Sequence, residues 1–568
     1  MFLGESLGNT EKRPQASTPP APTGGAHDAT NHGGGDNNEG ETVSAFNPFA
    51  YCNWPTKIRR RQFLGAAAAV AVALPARRLW ADAATAGAIP DTLAAVGSSG
   101  KPVALSAADI KDFRASLRGQ LLLAKDTDYD KVRRLWNGAF DRHPALIARC
   151  KVPADVVQAV NFARTHALLT AVRSGGHSIS GQSCCDGGLM IDLSPMRGIQ
   201  VDAAHRTAKV EGGVLLGELD EANQKHGLAT PLGTAADTGI AGLTLGGGQG
   251  RLMRKLGLSC DNLLSLDVVT ADGKQLHVTA QENPDLFWAL RGGGGNFGIV
   301  TNFEYQLHPL AHQVLAGGKL FPLSQARSVF KAMLDMAEHA SDDYYITGGI
   351  TTVTPDPSLP PGLKPGRYFA VEAVYSGDPK DSEKYLASLA KLGKPLLDTF
   401  GMKNYVDAQK GPTGASPPAL PPGLGVYIKS GYPRSIPDAL IDAILHAAET
   451  GPEWLGGIGV GPLAGAVARV KPDATAYWHR EAQWDLILDG EWTDHTQDAH
   501  NTAVLRDLWK VFEPFTNGYY VNTEPSADER RLRETYGENY PRLVQLKNKY
   551  DPTNLFRLNA NIRPTAKA

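Results

Sequence analysis

Residues 171–181, AVRSGGHSISG, place a histidine in a glycine turn where its ring could take part in chemistry. Gly175 and Gly176 come directly before His177. Because glycine has no Cβ, consecutive backbone amides there can approach a bound anion and form a concave nest around it. A turn histidine without such a context is more often a surface or capping residue. Inside a nest, its side chain would meet the ring system that carries the bound phosphate.

Further glycine-dense stretches lie later in the chain, at residues 246–250 (GGGQG) and 291–298 (RGGGGNFG). We expect each of these stretches, like the turn at His177, to follow a short strand. Several such loops close together in sequence indicate a large, phosphate-bearing ligand that lies over much of one domain.

The last of these stretches also matches a dinucleotide-binding fingerprint. Gly293, Gly295 and Gly298 satisfy G-x-G-x-x-G. In a Rossmann fold that motif opens a helix, whereas here it leads into IVTNFEYQL, which is β-branched and typical of a strand. The pattern therefore argues against a Rossmann nucleotide site.

Short strands and helices surround the glycine turns. The apolar spacing of Val156, Val157, Val160 and Phe162 predicts a helix, and an apolar strand then leads into the turn at His177. Residues 188–219 read as short strands that enter a helix, and residues 263–280 read as a hairpin with Asp272 and Gly273 at its tip.

A second α+β unit follows, in which strands and helices are segregated. Its strands have the spacing of an antiparallel sheet, with helices on one face. The predicted organisation is a disordered extension (1–50), a signal peptide (51–83), a first domain (100–311), a substrate domain (312–515) and a C-terminal return to the first domain (516–568).

The N-terminal region carries an export pattern. Arg60 and Arg61 begin a twin-arginine core, and an apolar run from Gly65 to Leu74 precedes a small-x-small site that ends at Ala83. The run is shorter than the roughly 20 residues of a membrane-spanning helix. We expect the twin-arginine machinery to export the chain to the periplasm or medium without stable membrane insertion. The alternative is a basic segment before an alanine-rich surface helix.

Composition excludes several classes of function. Of the 568 residues, 57 are Lys or Arg and 59 are Asp or Glu, a balance that does not favour a nucleic-acid partner. The five cysteines have no metal-binding spacing, and no metal site is predicted. Adjacent Cys184 and Cys185 are interpreted as small loop residues rather than a vicinal disulfide. The oligomeric state is left open.

Ordered blocks of sequence resemble a known family. They are AVRSGGHSISG, DGGLMIDLSPMRGIQVD, PLGTAADTGIAGLTLGGGQG, NPDLFWALRGGGGNFGIVTNFEYQLHP and NYPRLVQLKNKYDPTNLFRLNANI. Together they resemble the berberine-bridge-enzyme-like FAD-linked oxidases of the vanillyl-alcohol-oxidase superfamily. The resemblance implies an α+β fold with a PCMH-type, two-subdomain FAD-binding domain and a substrate domain built on an antiparallel sheet.

The resemblance also assigns the cofactor and its contacts. It implies that His177 is bonded covalently to the 8α-methyl of FAD. Bicovalent members carry a cysteine at the position of Ala235, so a single attachment is expected here. Thr238 occupies the position that controls access of O2 in related enzymes. The further residues expected to bind FAD are Val172, Arg173, Ser174, Gly175, Gly176, Ser178, Thr238, Gly239, Ile240, Ala241, Gly242, Leu243, Gln249, Val300 and Asn559.

The expected catalytic base is missing from its usual position. Family members carry Y-x-N-Y, whose second tyrosine deprotonates the substrate, whereas this chain has Tyr520, Asn522 and then Thr523. A threonine hydroxyl is far less acidic than a phenol, whose pKa is about 10, and is a poor base. Read as a strand, this segment leaves Tyr519, Tyr520, Thr523 and Glu524 as alternative catalytic residues.

Residues 475–488 (TAYWHREAQWDLIL) are read as a strand that family members place over the flavin. Alternation would put Tyr477, His479, Glu481 and Gln483 on one face, where a carboxylate or imidazole could act as base. A solvated sheet face is the alternative.

Two functions follow from these patterns. The first is an exported FAD-dependent oxidoreductase that removes hydride from an alcohol or similar C–H substrate, such as a carbohydrate or secondary metabolite, and is reoxidised by O2 or another acceptor. The second is a covalent flavoprotein that carries electrons or binds a ligand without oxidising a substrate. Loss of the tyrosine base supports the second function, and turnover with candidate alcohols would distinguish the two.

Overall fold

The computed structural model describes residues 89–355, 359–410, 423–523 and 528–565. The predicted extension (1–50) and signal peptide (51–83) lie outside these residues. No helix within the described ranges is long and apolar enough to span a membrane.

A small mixed sheet and the helix packed beside it carry the turn at His177. Helix Pro153–Thr165 is followed by strand Thr170–Arg173, as the apolar spacing predicted. The sheet runs in the order Gln120–Leu122, Leu146–Arg149, Leu189–Asp192, Thr170–Arg173, and its last three strands are parallel. The turn therefore leaves the carboxyl end of an edge strand.

A second sheet is antiparallel throughout. Its order is Gln275–Thr279, Leu263–Val269, Ile299–Gln306, Thr207–Glu211, Ile199–Asp202. The predicted hairpin is its first pair of strands, and the predicted helix after the short strands is Leu216–Gln224. Gly293, Gly295 and Gly298 lead into strand Ile299–Gln306, which confirms that they do not open a Rossmann helix.

The expectation that every glycine-rich stretch follows a strand is wrong. Residues 246–250 follow helix Ile240–Leu245, and residues 291–298 come after helix Pro284–Ala289. The turn at His177 does follow a strand. Runs such as IAGLTL are too short to show a helical period, so periodicity does not distinguish a short helix from a short strand.

The large sheet is antiparallel and comes from residues 313–492. Its order is Leu397–Asp398, Gln313–Pro322, Gly366–Tyr375, Tyr344–Val353, Leu455–Pro462, Trp484–Trp492, Gly425–Gly431, and Gly401–Asn404 also pairs with Gln313–Pro322. Apolar side chains of one face, including Ile350, Ile458 and Leu488, pack in a core with helices Ala326–Glu338, Asp438–Thr450 and Asp498–Phe512. This arrangement fits the predicted α+β class.

The remaining elements are short or join these sheets. Two-stranded pairs form between Thr92–Val96 and Pro102–Ser106 and between Leu228–Ala229 and His308–Pro309. The remaining α-helices of the described residues are Ala107–Ser116, Tyr129–Arg133, Met253–Leu256, Ser382–Leu389, Tyr405–Gln409, Ala466–Arg469, Glu529–Tyr536 and Tyr540–Tyr550. Buried Lys547 donates to the carbonyl of Asn296, which ties the C-terminal helix to the glycine-rich stretch 291–298.

Two sequence-predicted strands differ from the described structure, one over residues 475–488 and one over residues 519–523. Residues 475–483 form a loop, and strand Trp484–Trp492 begins only after it. Residues 519–523 form a turn rather than the strand on which side-chain alternation was argued. The alternation of faces therefore does not apply to Tyr477, His479, Glu481 and Gln483, or to Tyr519–Thr523.

Candidate active site

A cavity of about 460 Å³ lies between the glycine loops and the turn at residues 520–523. We call residues 174–178, 238–243 and 294–298 the glycine wall, and residues 520–523 with Ile428 the turn wall. Most of the residues expected to bind FAD line this cavity: Val172, Ser174, Gly175, Gly176, His177, Ser178, Thr238, Gly239, Ala241, Gly242, Leu243, Val300 and Asn559.

Glycines let two parts of the glycine wall, residues 174–178 and residues 238–243, touch each other. A Cβ on Gly175 would lie 2.4 Å from the amide nitrogen of Gly239, and a Cβ on Gly239 would lie 2.2 Å from that of Gly175. Gly176 has φ +76°, a left-handed conformation that favours glycine. The turn before His177 can therefore approach residues 238–243 only because side chains are absent there.

Other glycines leave open space toward the cavity. A Cβ built on Gly242 or Gly295 would have no neighbouring atom within 4 Å, and both residues line the cavity. A side chain at either position would project into that space. The glycine wall is therefore shaped to let a ligand lie directly against the backbone.

The His177 ring is held at the edge of this wall. It stacks on Trp136 with ring centroids 5.0 Å apart and planes 24° apart. Its Nδ1 lies 3.4 Å from the hydroxyl of Thr238, and its Nε2 lies 3.1 Å from Oδ2 of Asp237. Nε2 is buried and makes no hydrogen bond with any described residue, so the carboxylate lies beside the ring nitrogen but out of line with it.

Arg173, Ile240 and Gln249 were expected to contact the cofactor, but the structure places them away from the cavity lining. Arg173 extends beneath Gly176 and bonds the buried carboxylate of Asp192 at 3.0 Å, so it supports the turn from below. Ile240 is fully buried in the apolar core. Gln249 donates to the hydroxyls of Tyr432 and Tyr477, at 3.2 Å each.

Tyr520 is the tyrosine of the turn wall that lines the cavity. Among the described residues, its phenolic oxygen accepts hydrogen bonds from the amides of Gly248 (3.0 Å) and Gln249 (3.3 Å) and from Asn522 Nδ2 (2.8 Å). Burial raises the pKa of Tyr520 to about 12, although each of these N–H donors acts to lower it. The three donors favour the ionised form, whereas burial, the larger effect, favours the neutral phenol.

The other catalytic alternatives are placed differently. Thr523 lines the cavity, but its hydroxyl contacts Ser430 Oγ at 2.5 Å and donates to the carbonyl of Tyr520 at 2.8 Å. Tyr519 is buried outside the cavity lining, beneath the guanidinium of Arg531. Glu524 lies outside the described residues. Of the proposed bases, Tyr520 is therefore the phenol that reaches the cavity.

The loop at 475–483 supports the site from behind. Tyr477 is buried and donates to the hydroxyl of Tyr432 at 3.0 Å. Burial lowers the pKa of His479 to about 4, and its ring packs on Tyr432. Arg480 forms a bidentate ion pair with Asp261 at 2.7 Å. These contacts hold the loop in place, and its side chains do not line the cavity.

Sequence reasoning missed several residues that line the cavity. They are Trp136 and Ile179 near His177, Ile428 of the large sheet, the carboxylate Asp237, and the cations Arg251 and Lys410. Arg251 is paired with Glu372 at 2.8 Å. Asp237 stands inside the block PLGTAADTGIAG, so its position in a flavin loop was the available signal. Ile179 stands inside AVRSGGHSISG, and the other residues come from segments without a recognisable motif.

Comparison with known proteins identifies the family. A model described as FAD binding domain matches residues 144–279, and a model described as berberine and berberine like matches residues 519–563. An FAD-linked oxidoreductase of Dictyostelium discoideum is 32% identical over 458 residues, which cover 80% of this chain and 97% of that protein. The chain belongs to the berberine-bridge-enzyme-like FAD-linked oxidoreductases.

Further members are similar over comparable lengths. The (R)-6-hydroxynicotine oxidase of Paenarthrobacter nicotinovorans is 31% identical over 79% of this chain and 97% of that protein. The crystal structure of 6-hydroxy-D-nicotine oxidase from Arthrobacter nicotinovorans aligns with a TM-score of 0.70 and 28% identity, covering 79% of this chain and 98% of that one. The resemblance seen in the sequence is therefore confirmed.

The residues present fit the cofactor of this family. The glycine wall offers backbone amides without side chains, Gly242 and Gly295 face open space, and His177 brings a buried, unbonded ring nitrogen to the same cavity. FAD is the cofactor of this oxidoreductase. The glycine wall would hold it, as expected for a site that must admit a flat, phosphate-bearing group.

Proposed function

We propose that the chain is an exported FAD-linked oxidoreductase that removes hydride from a hydroxyl-bearing C–H substrate, with FAD bonded covalently to His177. The observation that supports this proposal is the shared cavity, whose lining includes the glycine wall, His177 and the buried Tyr520. When bound, FAD supplies the hydride acceptor, and the residues of this chain supply orientation and proton transfer.

The covalent link is supported by the surroundings of His177. Its ring is fixed between Trp136, Asp237 and Thr238 at the edge of the cavity. Ala235 also lines the cavity and has no thiol, which supports a single attachment. A covalent link would retain the cofactor outside the cell, which accords with export.

Tyr520 is proposed as the base for the substrate hydroxyl. Its donors from Gly248, Gln249 and Asn522 lower the pKa of the phenol, against the burial that raises it, and would stabilise the phenolate that accepts the substrate proton. Thr523 remains a hydrogen-bond partner of Ser430 and of the Tyr520 backbone. Its side chain positions the turn rather than accepting the proton.

The substrate is proposed to be a small hydroxylated molecule. The name of the Paenarthrobacter relative, (R)-6-hydroxynicotine oxidase, supports this class. In this chain Trp136, Ile179 and Ile428 supply apolar lining, and Lys410 and Arg251 supply cations. These residues suit a ring with polar substituents more than an extended apolar chain.

Anaerobic titration tests the activity. The purified mature protein is mixed with a panel of hydroxylated ring compounds and sugars, and the flavin absorbance near 450 nm is followed. Bleaching by at least one compound is expected, followed by recovery on adding O2 or an artificial acceptor. If a chemical reductant bleaches the flavin but no hydroxylated compound does, the result would favour the alternative function of an electron carrier.

Export is tested by fractionation. A twin-arginine signal predicts that the chain reaches the periplasm or medium, and that Arg60→Lys with Arg61→Lys retains it in the cytoplasm. Equal export of the double variant would contradict this part of the proposal.

A further inference from the structure

Asp237 is a carboxylate placed directly beside His177. Its Oδ2 lies 3.1 Å from Nε2 of the imidazole. Among the described residues that line the cavity, Asp237 is the only one with a carboxylate, the ionised groups otherwise being the cations Arg251 and Lys410. Within the described part of the chain it forms no salt bridge with any residue other than His177. A role in holding the fold together therefore does not account for it.

The His177 ring is oriented by its neighbours so that its two nitrogens differ. Trp136 stacks on the ring face, Thr238 approaches Nδ1 at a loose 3.4 Å, and Asp237 stands at Nε2. In a neutral imidazole, the hydrogen bond made by one nitrogen decides which nitrogen carries the proton. A carboxylate at Nε2 keeps the proton there and leaves the lone pair on Nδ1, where it can act as nucleophile.

The contact is close but not in line, because Nε2 makes no hydrogen bond in the described structure. The Asp237 side chain is 28% exposed and is not held by any other ion pair among the described residues, so it has room to turn toward the ring N–H. The pairing of carboxylate and imidazole then resembles the orienting pair that activates a nucleophile in many enzymes.

Attachment of FAD needs both a nucleophilic nitrogen and a place for positive charge. A C–N bond forms between His177 Nδ1 and the ring-methyl carbon of FAD, one methyl C–H bond breaks, and the imidazole becomes cationic. Loss of the Nε2 proton returns the ring to neutrality. The two protons and two electrons released overall reduce dioxygen to hydrogen peroxide, so the flavin ends oxidised and tethered. A carboxylate beside Nε2 stabilises the cationic ring and receives its proton.

We propose that Asp237 is the positioning residue for covalent attachment of FAD, because it holds the His177 proton on Nε2 and stabilises the cationic ring as the bond forms. This inference rests on the proposed covalent link to His177. It assigns the attachment to a specific nitrogen, Nδ1, and the rate of attachment to a carboxylate that lies 60 residues further along the chain.

The test measures covalent incorporation of FAD over time. Wild type, Asp237→Asn and Asp237→Glu are produced with limited riboflavin, purified and incubated aerobically with excess FAD. Samples are taken at intervals, denatured, and analysed by intact mass and by flavin fluorescence on a denaturing gel. FAD released by acid from a parallel sample gives the amount bound without a covalent link.

We expect Asp237→Asn to bind FAD but to attach it at least tenfold more slowly than wild type. Asp237→Glu, which restores the carboxylate, should recover a substantial part of the rate. The matched control is Asp202→Asn, which alters an exposed carboxylate that contacts His205 at 2.7 Å outside the cavity, and it should attach FAD at the wild-type rate.

Three results would overturn the inference. Asp237→Asn attaching FAD as fast as wild type would show that the carboxylate does not set the rate, and would leave the proposed covalent link intact. Equally slow attachment in Asp237→Asn and Asp237→Glu would show that shape rather than charge is responsible. A wild type without covalent flavin would refute the proposed link itself, and the inference with it.

Discussion

The two walls of the cavity differ in how they hold their shape. The glycine wall approaches closely because side chains are missing, as at Gly175 and Gly239, and the resulting surface is backbone. The turn wall is held by side-chain hydrogen bonds, in which Tyr520, Asn522 and Thr523 bond to loops and to the large sheet. The glycine wall suits a cofactor that is common to the family. The turn wall depends on individual side chains, so a single substitution can change it.

A side chain in the glycine wall should have the largest effect. Gly239→Ala places a Cβ 2.2 Å from the Gly175 amide nitrogen, so the two loops must separate. We expect loss of most bound FAD and a loss of stability of about 1–3 kcal/mol. Flavin content per protein and urea unfolding measure these effects.

The matched control is Gly401→Ala, because a Cβ there has no atom within 4 Å and Gly401 does not line the cavity. It should retain FAD as wild type does. Full FAD content in Gly239→Ala would mean that the close approach of the two loops is not needed for binding.

Removing the phenol of the turn wall should affect turnover most. Tyr520→Phe eliminates the proposed base, and we expect flavin reduction by a bleaching substrate to slow by about 10²–10⁴-fold while FAD stays bound. It also leaves the amides of Gly248 and Gln249 without their acceptor, at a cost of about 1–3 kcal/mol in stability. Anaerobic stopped-flow reduction and urea unfolding separate the two effects. Reduction at the wild-type rate would exclude Tyr520 as the base.

A buried carboxylate of the large sheet, Asp485 in strand Trp484–Trp492, should give stability a pH dependence. Burial raises the pKa of Asp485 to about 7, against about 3.9 in an unfolded chain. The native state then binds more protons than the unfolded state between these values, so stability falls as pH rises from about 4 to about 7.

We therefore expect Asp485→Asn to stabilise the protein more at pH 8 than at pH 5, by up to about 2.5 kcal/mol. Urea unfolding at both pH values measures this, with the exposed Asp112→Asn as control. A gain of equal size at the two pH values would show that Asp485 does not carry this pH dependence.

Thr523→Val should have the smallest effect. It removes the hydroxyl that contacts Ser430 and the Tyr520 carbonyl, but Ser430 keeps its contact with the Tyr520 amide at 3.0 Å. We expect a stability loss of about 1 kcal/mol and a change in flavin reduction below about threefold. A loss of turnover as large as that of Tyr520→Phe would transfer the role of base to Thr523.

The contrast between the glycine wall, shaped by residue type, and the turn wall, held by long-range hydrogen bonds, also explains which elements the sequence could predict. Local periodicity and turn residues were enough to predict three elements: the helix Pro153–Thr165, the strand Thr170–Arg173 and the hairpin at residues 263–279. Residues 519–523 have the aromatic and β-branched content of a strand and nevertheless form a turn. Long-range bonds from Asn522 to the Leu243 carbonyl and from the Gly248 amide to Tyr520 outweigh that propensity.

The site shows the same division. The glycine motifs of the sequence predicted most of the glycine wall. A backbone can approach another backbone or a ligand closely only where glycine removes the side chain, and glycines can be read directly from the sequence. Trp136 and Ile428 reach His177 and the cavity through tertiary packing, which no local pattern records. Asp237 stands inside a recognisable block, but its contact with His177 is also set by packing. Arg173 and Gln249 lie within recognisable motifs, yet their side chains turn away to Asp192 and to the buried tyrosines.

We propose that His177 holds FAD covalently in this cavity. The most direct measurement is acid precipitation of purified wild type, His177→Ala and the control His205→Ala, followed by absorbance spectra of the redissolved pellet and the supernatant. We expect yellow pellets for wild type and His205→Ala, and flavin only in the supernatant for His177→Ala. Flavin released into the supernatant from wild type would contradict this proposal.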